Sequence, residues 1–574
     1  MPISFRLQNF KAFTDTSSID LAPVTVLCGA NSSGKSSILK SMLLMKQSIT
    51  SRRSRFFGFG SEQPLLFNGE FARLGSWTDV VHGKSRDAEL IFSWHMADSR
   101  SDSSFSSYSD APSARVKNGP YDFDVEITVG SVGSEPIERS AVVRNLKARN
   151  NLNSLNIEMM ESGGGGIRSY SFVVSSVKKL LTSSQAPIDG TISPLSVEIL
   201  RAISEAGDIP AKTGEYIVEF IGPVPNRTYM FETKTWIQFW VTIQSILQKL
   251  KSKKKGPAPS YLVYLKREIS TLTIALSTNT DLSHFSTEFL KGYPILHDLV
   301  RLATSHIEIE MSSMCGVLSM LWENIRYLGP LREQPKRFYE FDDTGGIDIG
   351  VSGEFAVQVL AIEADSRSYF SRIVESDGGG IKIDENSGIH TLLDALNYWL
   401  VAMDLPAVTP NVLKQSQYEL KVNARDDLEV SLPDVGFGVS QVLPIILEAL
   451  RARRGDLVIL EQPEIHLHPR VQAIMADFFI ARAADGVRFL IESHSEYLVK
   501  RLCRRVAEND INNLDKLVNI IFVRDTPFDG SECVKLVMNE FGEISNWPSG
   551  FFDTNEDAYW VKASLNRRAN KAKK

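Results

Sequence analysis

The chain has 574 residues, with 63 Lys+Arg against 69 Asp+Glu and a formal net charge of −6. At about 150 residues per domain this length allows three or four domains. The 43% hydrophobic and 23% charged fractions are those of an ordinary globular chain. The near-balanced charge excludes a wholly basic nucleic-acid coat, though not a local basic groove. Four cysteines, Cys28, Cys315, Cys503 and Cys533, lack both disulfide-framework and metal-ligand spacing, which fits a reducing, cytoplasmic setting. The opening MPISFRLQNF has no apolar signal core, and no apolar run reaches the ~18 residues of a membrane span.

Alternating Ile3, Phe5 and Leu7 predict a strand over 3–7. Val24 to Cys28 is a continuous β-prone run, as in a buried strand. A glycine-bearing loop follows, and then a helix over 36–47 with Ile38, Leu39, Met42, Leu43 and Met45 on its apolar face. From 88 to 174 the pattern turns antiparallel. Phe123, Val125, Ile127 and Val129 alternate, as do Leu155, Ile157 and Met159, with a serine-rich stretch (99–113) and a glycine run (162–166) between strands. A helical stretch is expected over 235–325, interrupted by a lysine run from Lys249 to Lys255 that reads as a solvated turn. Short apolar strands at 457–460 and 488–491, each followed by helical sequence, predict a parallel sheet with crossover helices. The tail from Leu565 is basic and carries no core-forming residues.

The loop after the second strand reads Gly29-Ala30-Asn31-Ser32-Ser33-Gly34-Lys35-Ser36-Ser37, an unbroken G-x-x-x-x-G-K-S. Gly29 and Gly34 let successive N–H groups turn toward phosphate oxygens, and the helix start adds its positive dipole end. Lys35 is expected to reach the β- and γ-phosphates and the Ser36 hydroxyl to bind Mg²⁺. An acid is then needed at the end of a neighbouring strand, and Glu461 stands there, followed by Gln462, Pro463 and Glu464. His494 closes the 488–491 strand, where ligands of open α/β sheets bind. Within 434–441, Gly436 and Gly438 free the backbone, while Ser440 and Gln441 are expected in the first turn of an apolar helix over 442–450. With the cradle and Glu461 this segment makes a second phosphate-binding edge; a glycine-hinged helix start is the alternative reading. His466 and His468 are read as shaping a turn and contacting a second subunit rather than binding metal.

On these residues the sequence resembles the ABC-type ATPases of the SMC/RecF/OLD group, and most closely the stand-alone OLD-like ATPases of prokaryotic anti-phage systems such as the Septu type. The resemblance rests on LQNFKAF (7–13), GANSSGKSS (29–37), YLGPLREQPKRFY (327–339), DVGFGVSQ (434–441), LEQPEIHLHP (460–469) and IESHSEYL (491–498). It implies an α/β fold, an ABC-type P-loop head split by a large insertion. The divisions expected are 1–85 and 326–525 for the head, 86–325 for an antiparallel and then helical insertion, and 526–574 for a C-terminal extension. It further implies Walker A at Gly29–Ser37, the Walker B acid at Glu461, the catalytic-glutamate position at Gln462 and the switch histidine at His494. The 434–441 segment becomes a signature loop facing ATP on the other protomer of a dimer. Gln47, or a residue near Asn68, stands for the Q-loop.

Relatives carry Asp-Glu where this chain has Glu461-Gln462. Glutamine orients water but cannot accept its proton. Either Glu464 or Glu461 takes the base role, or turnover is slow and ATP locks the dimer. The short region after His494 shows no Toprim-like acidic constellation; Asp525, Asp529 and Asp553 read as loop residues. A separate effector is therefore expected, an HNH-type or other nuclease. Two alternatives stay open. One is an ATP-dependent DNA clamp using Arg52, Arg53, Arg55, the lysine run and the basic tail. The other is an ATP-locked scaffold. Arg332 is read either as reaching the nucleotide or the head interface, or as a surface ion pair.

Overall fold

A computed structural model describes residues 2–50, 65–84, 88–98, 121–132, 140–150, 160–161, 168–174, 193–205, 216–222, 230–232, 237, 240–241, 243–245, 247–248, 251, 259–277, 284–286, 289–302, 322–340, 348–375, 381–384, 390–414, 417–423, 428–508, 514–526 and 530–548. The arginines at 52–55, the serine-rich 99–113 stretch, the expected strand over 155–159, the glycine run, all of the lysine run but Lys251, Asp529, Asp553 and the basic tail lie outside these residues. The chain divides into two compact units. One holds 1–6, 48–66 and 75–322, the other 7–47, 67–74 and 323–574.

The second unit is built on a mainly parallel sheet. Ile325–Leu328, Leu457–Glu461, Arg488–Glu492, Val24–Gly29 and Val518–Thr526 lie side by side in that order, all parallel. Val24–Gly29 and Leu457–Glu461 are buried at every residue, as their unbroken apolar runs require of strands covered on both faces. Gly530–Leu536 and Phe13–Asp15 continue the sheet antiparallel, and Gln8 and Phe10 pair back onto the latter. Gly530–Leu536, which the sequence places in a C-terminal extension, is thus a strand of this sheet. It pairs antiparallel with Val518–Thr526 along its whole length.

The helix Phe437–Arg451 is buried at every residue from Val439 to Leu450, and Pro469–Ala484 is buried from Met475 to Ala483. They share one core with the sheet, in which Trp399 meets Phe478 edge-on at 5.1 Å and Phe479 meets Phe489 at 4.9 Å. The C-terminal end of Phe437–Arg451 leaves carbonyls without helical partners. Arg482 supplies them: its Nε donates to the Ala449 carbonyl at 3.2 Å and Nη2 to Ala452 at 3.1 Å, while Nη1 reaches the Tyr369 carbonyl and pairs with Asp485. Arg482→Ala would strand these carbonyls and leave the Asp485 carboxylate without its cation. A loss of about 3–5 kcal/mol in denaturant unfolding is expected, and a smaller loss would mean that water replaces the guanidinium.

The first unit carries the antiparallel strands Leu90–Asp98, Tyr121–Val132 and Ser140–Asn150. Phe92 stacks on Trp94, which meets Trp322 edge-on at 5.0 Å. A second antiparallel sheet runs His284–Ser286, Met230–Glu232, Tyr216–Gly222, Arg168–Val174, Met160–Glu161. His284–Ser286 interrupts the stretch over 235–325 expected to be helical; its pairing to Met230–Glu232 overrides local propensity. The helices of this unit include Pro194–Glu205 and Ser260–Ser277. Asp298 accepts from the Ser193 N–H and the Ser196 hydroxyl, both at 2.8 Å, fixing the start of the first. No helix among the described residues is long and apolar enough to cross a membrane.

Candidate nucleotide site

The strand Val24–Gly29 hands directly to a loop, and the helix Lys35–Thr50 takes the chain away. Two glycines make that turn fit. Gly29 has φ +141°, and a β-carbon there would lie 2.1 Å from the Val523 carbonyl oxygen of the neighbouring strand. Gly34 has φ +98° and faces the Phe13 ring, which a β-carbon would approach to 3.0 Å. Ser32 adopts a left-handed φ of +62°. Ala30, Asn31 and Ser32 are exposed, whereas Ser33 is buried and its hydroxyl has no hydrogen-bond partner among the described residues. The Ser37 N–H donates to the Gly34 carbonyl at 2.9 Å and closes the first helical turn. Lys35 is buried, and its ammonium donates to the carbonyls of Gly29 (3.2 Å) and Ala30 (2.6 Å). Burial pulls its pKa down, against the opposing pull of Glu492, Cys28 and Glu464.

Two carboxylates stand beside this loop. Glu461 and Glu492 are register partners at the ends of adjacent parallel strands, so both side chains leave the same face. The Ser36 hydroxyl donates to Glu492 Oε1 at 3.0 Å across 456 residues of sequence. Glu492 Oε2 is buried without a hydrogen-bond partner among the described residues. Glu461 Oε1 accepts from the Tyr327 hydroxyl at 2.9 Å. Gln462 takes a left-handed φ of +44°, and its N–H donates to the Glu492 carbonyl at 2.8 Å. Glu464 is held at both oxygens, Oε1 by the His494 N–H (2.6 Å) and Oε2 by the Ser493 hydroxyl (3.0 Å). His494 is half-buried; burial and then the Lys35 charge pull its pKa down.

Burial pushes the carboxyls of Glu461, Glu464 and Glu492 above the ordinary glutamate value of 4.5. For Glu461 the adjacent Glu492 charge adds to the rise, while Tyr327, Lys40 and Arg332 oppose it. A glutamate raised in the folded state lends stability that is full below its unfolded value. That stability is lost as pH rises through the folded value. Melting temperature of the chain without nucleotide is therefore expected to fall as pH rises above 4.5 through the raised window. Glu492→Gln should flatten that slope. Thermal melts from about pH 5 to 8 check this, and a variant slope equal to that of the parent would contradict it.

The 434–441 segment is arranged differently from expectation. The helix begins at Phe437, with Gly436 as its N-cap, five residues before the expected start. Ser440 and Gln441 are buried, and the Ser440 hydroxyl donates back to the Phe437 carbonyl at 2.9 Å. They are therefore interior to the helix, beyond its open N–H groups. What this end presents to solvent is Gly436, with no atom within 4 Å of a built β-carbon, and the 62%-exposed Phe437. Gly438 is half-buried against Leu405. No hydrogen bond joins 434–441 to 29–37 among the described residues. Gln47 is buried, and its amide is bonded to both backbone groups of Ala72. Asn68 forms a β-bridge with Arg73. His468 caps the helix Pro469–Ala484 by accepting from the Arg470 N–H, and His466 sits in the turn at φ +60°.

Glu492, Tyr327 and Lys40 were not singled out from the sequence. Lys40 follows Ser36 by one helical turn and acts electrostatically on both Glu461 and Glu492. A signal for Glu492 was present: Leu-Val-Ile-Leu-Glu and Arg-Phe-Leu-Ile-Glu are two apolar strands each ending in Glu.

Residues 1–91 and 373–499 match the family described as an AAA ATPase domain. Residues 515–558 match a family described as a protein of unknown function, DUF3696. No curated protein matches the chain. Similar solved structures include the Smc head domain with an extended coiled coil bound to the C-terminal domain of ScpA from Pyrococcus furiosus, at 10% identity over 99% of this chain and 100% of that one, TM-score 0.31. The SMC head domain from Thermotoga maritima matches at 8% identity over 94% and 99%, also with TM-score 0.31. Likeness at that TM-score carries no argument. The family match and the strand–loop–helix seated in a parallel sheet do: they show an α/β P-loop fold similar to an AAA ATPase domain, drawn from two distant parts of the sequence.

Proposed function

We propose that this chain is a Mg²⁺-dependent ATPase that dimerises around ATP and controls a separate effector. The observation that carries the nucleotide half is the Ser36 hydroxyl on Glu492, with Glu461 alongside, at the mouth of a glycine-hinged phosphate loop. These residues fit a hard divalent cation. They offer oxygen donors only, the two acids repel each other, and one Glu492 oxygen is buried without a hydrogen-bond partner among the described residues. No group of three His, Cys, Asp or Glu is placed to hold a metal ion by itself among the described residues. Mg²⁺ does not require one, because it keeps waters and phosphate oxygens as ligands. Ser36 and Glu492 would hold the ion directly and Glu461 through a water, and the ion would neutralise charge on the phosphates.

The chain's own residues do the rest. The loop N–H groups and Lys35 bind phosphate oxygens. Glu464, held by Ser493 and the His494 N–H, positions His494 toward the same mouth. Glu461 takes a proton from the attacking water, and Gln462 orients it. The dimer half is supported by the exposed Gly436–Phe437 helix start, a surface suited to a second copy. The effector half is supported by resemblance to stand-alone ATPases of anti-phage systems, and a nuclease is the effector that resemblance favours. The test is ATP turnover and solution mass of the purified chain with and without Mg²⁺ and ATP. Mg²⁺-dependent turnover with ATP-induced mass doubling is expected. A monomer at saturating ATP would remove the dimer.

A further inference from the structure

The chain segment that follows the strand Ile325–Leu328 contains a charge with no visible purpose. Arg332 has all three guanidinium nitrogens buried, and none of them has a hydrogen-bond partner among the described residues. An unpaired buried cation is among the costliest groups a fold can hold. Its neighbours do not relieve it. Tyr327, Glu461 and Glu464 attract it electrostatically, yet burial still pulls its pKa down to about 10. The Glu461 oxygen Oε1 is taken by Tyr327, and both Glu464 oxygens are taken by Ser493 and His494.

Nor is Arg332 a loose surface side chain. The Gly329 N–H donates to Val351 at 2.8 Å and the Glu333 N–H to Ser352 at 3.0 Å, so the backbone is pinned on both sides of it. Ile325–Leu328 is parallel to Leu457–Glu461, with Leu328 opposite Leu460. The segment therefore emerges at the sheet end that carries Glu461, Glu492 and the phosphate loop.

We propose that Arg332 is a phosphate-binding residue that engages the terminal phosphate of ATP, making this site distinguish triphosphate from diphosphate. This rests on the nucleotide reading above. A guanidinium presents a planar fork of N–H donors that matches phosphate oxygens in pairs. With the loop N–H groups on the inner phosphates and Lys35 reaching the β- and γ-phosphates, the terminal phosphate would lie toward Glu461, the acid that Arg332 faces electrostatically. Binding ATP then satisfies a donor set that binding ADP leaves buried and unpaired.

The test compares Arg332→Met and Arg332→Lys with the parent chain, using an imido analogue of ATP and ADP as probes. For Arg332→Met, affinity for the ATP analogue should fall at least about tenfold while affinity for ADP stays unchanged. Arg332→Lys should recover part of the loss, because a point charge replaces the fork. Without nucleotide, Arg332→Met should melt higher than the parent, since an unpaired buried charge is gone. Its further rise with the ATP analogue should not exceed its rise with ADP. Equal weakening of both probes, or of neither, overturns the proposal. If Arg332→Met does not fold, Arg332→Lys decides on the same ratio of the two affinities. A parent chain that binds neither probe overturns the nucleotide reading itself; a parent that discriminates while both variants discriminate equally well overturns only the role of Arg332.

Discussion

Lys35→Ala is expected to abolish ATP binding while leaving the fold intact. The ammonium is buried and lies on the carbonyls of Gly29 and Ala30, inside the loop that the glycines shape. A charge-assisted bond to a phosphate oxygen is worth about 1.5–3 kcal/mol, and a triphosphate offers more than one. The expected loss is therefore about a hundredfold or more in affinity. The same burial explains why the fold survives. A lysine whose folded pKa is lowered binds its proton less tightly than in the unfolded chain. Folding is then penalised at pH below the folded value, and the penalty lifts as pH rises through it. Removing the ammonium removes the penalty, so the melting temperature without nucleotide should hold or rise. Titration with a fluorescent ATP analogue, beside a thermal melt, reads both. Retained affinity in a folded variant would mean that the loop's N–H groups suffice and that Lys35 serves the loop rather than the ligand.

Much of this arrangement was legible in the residues, for a physical reason. A buried parallel strand must be apolar throughout, and a phosphate loop must have glycine where φ is positive. Val24 to Ser36 and Leu457 to Glu461 therefore announce themselves. Glu492 carries the same strand-ending pattern, but the pattern does not tell its role, because one acid at a strand end looks like any other. Only parallel register places it against Ser36, from the far end of the chain. Ser440 and Gln441 were legible as polar residues near a helix start. Which way a helix turns its polar residues depends on where it begins, and Phe437 begins it early enough to bury both. His284–Ser286 was hidden for the opposite reason, since three residues have no periodicity and only their partner strand makes them a strand. Arg332 could be seen but not assigned. Its meaning lies in what its nitrogens fail to touch, and that is a property of the fold.

Glu461→Gln is expected to lower ATP turnover about a hundredfold or more, the range in which a positioned general base contributes, while ATP affinity changes far less. Three carboxyl or amide side chains compete for the role. Gln462 stands at the usual glutamate position but has no basic lone pair to offer a proton. Glu464 has both oxygens committed to Ser493 and His494, so protonating it would disturb the loop that places His494. Glu461 accepts a single hydrogen bond, from Tyr327, among the described residues. In the chain without metal, burial and the Glu492 charge raise its pKa, so its carboxylate holds a proton more readily than a free glutamate. The amide in Glu461→Gln keeps the volume and can still accept from Tyr327, so binding through the loop and Lys35 should persist. Gln462→Glu supplies the complementary measurement. If turnover in the natural chain is limited by the missing carboxylate, that variant gains rate. If Glu461 is already the base, a third acid beside Glu461 and Glu492 adds repulsion, and the rate holds or falls. Single-turnover kinetics on both variants separate the two. Unchanged turnover in Glu461→Gln together with a gain in Gln462→Glu would move the base off Glu461 and leave the natural chain a slow ATPase whose bound nucleotide acts mainly as a lock.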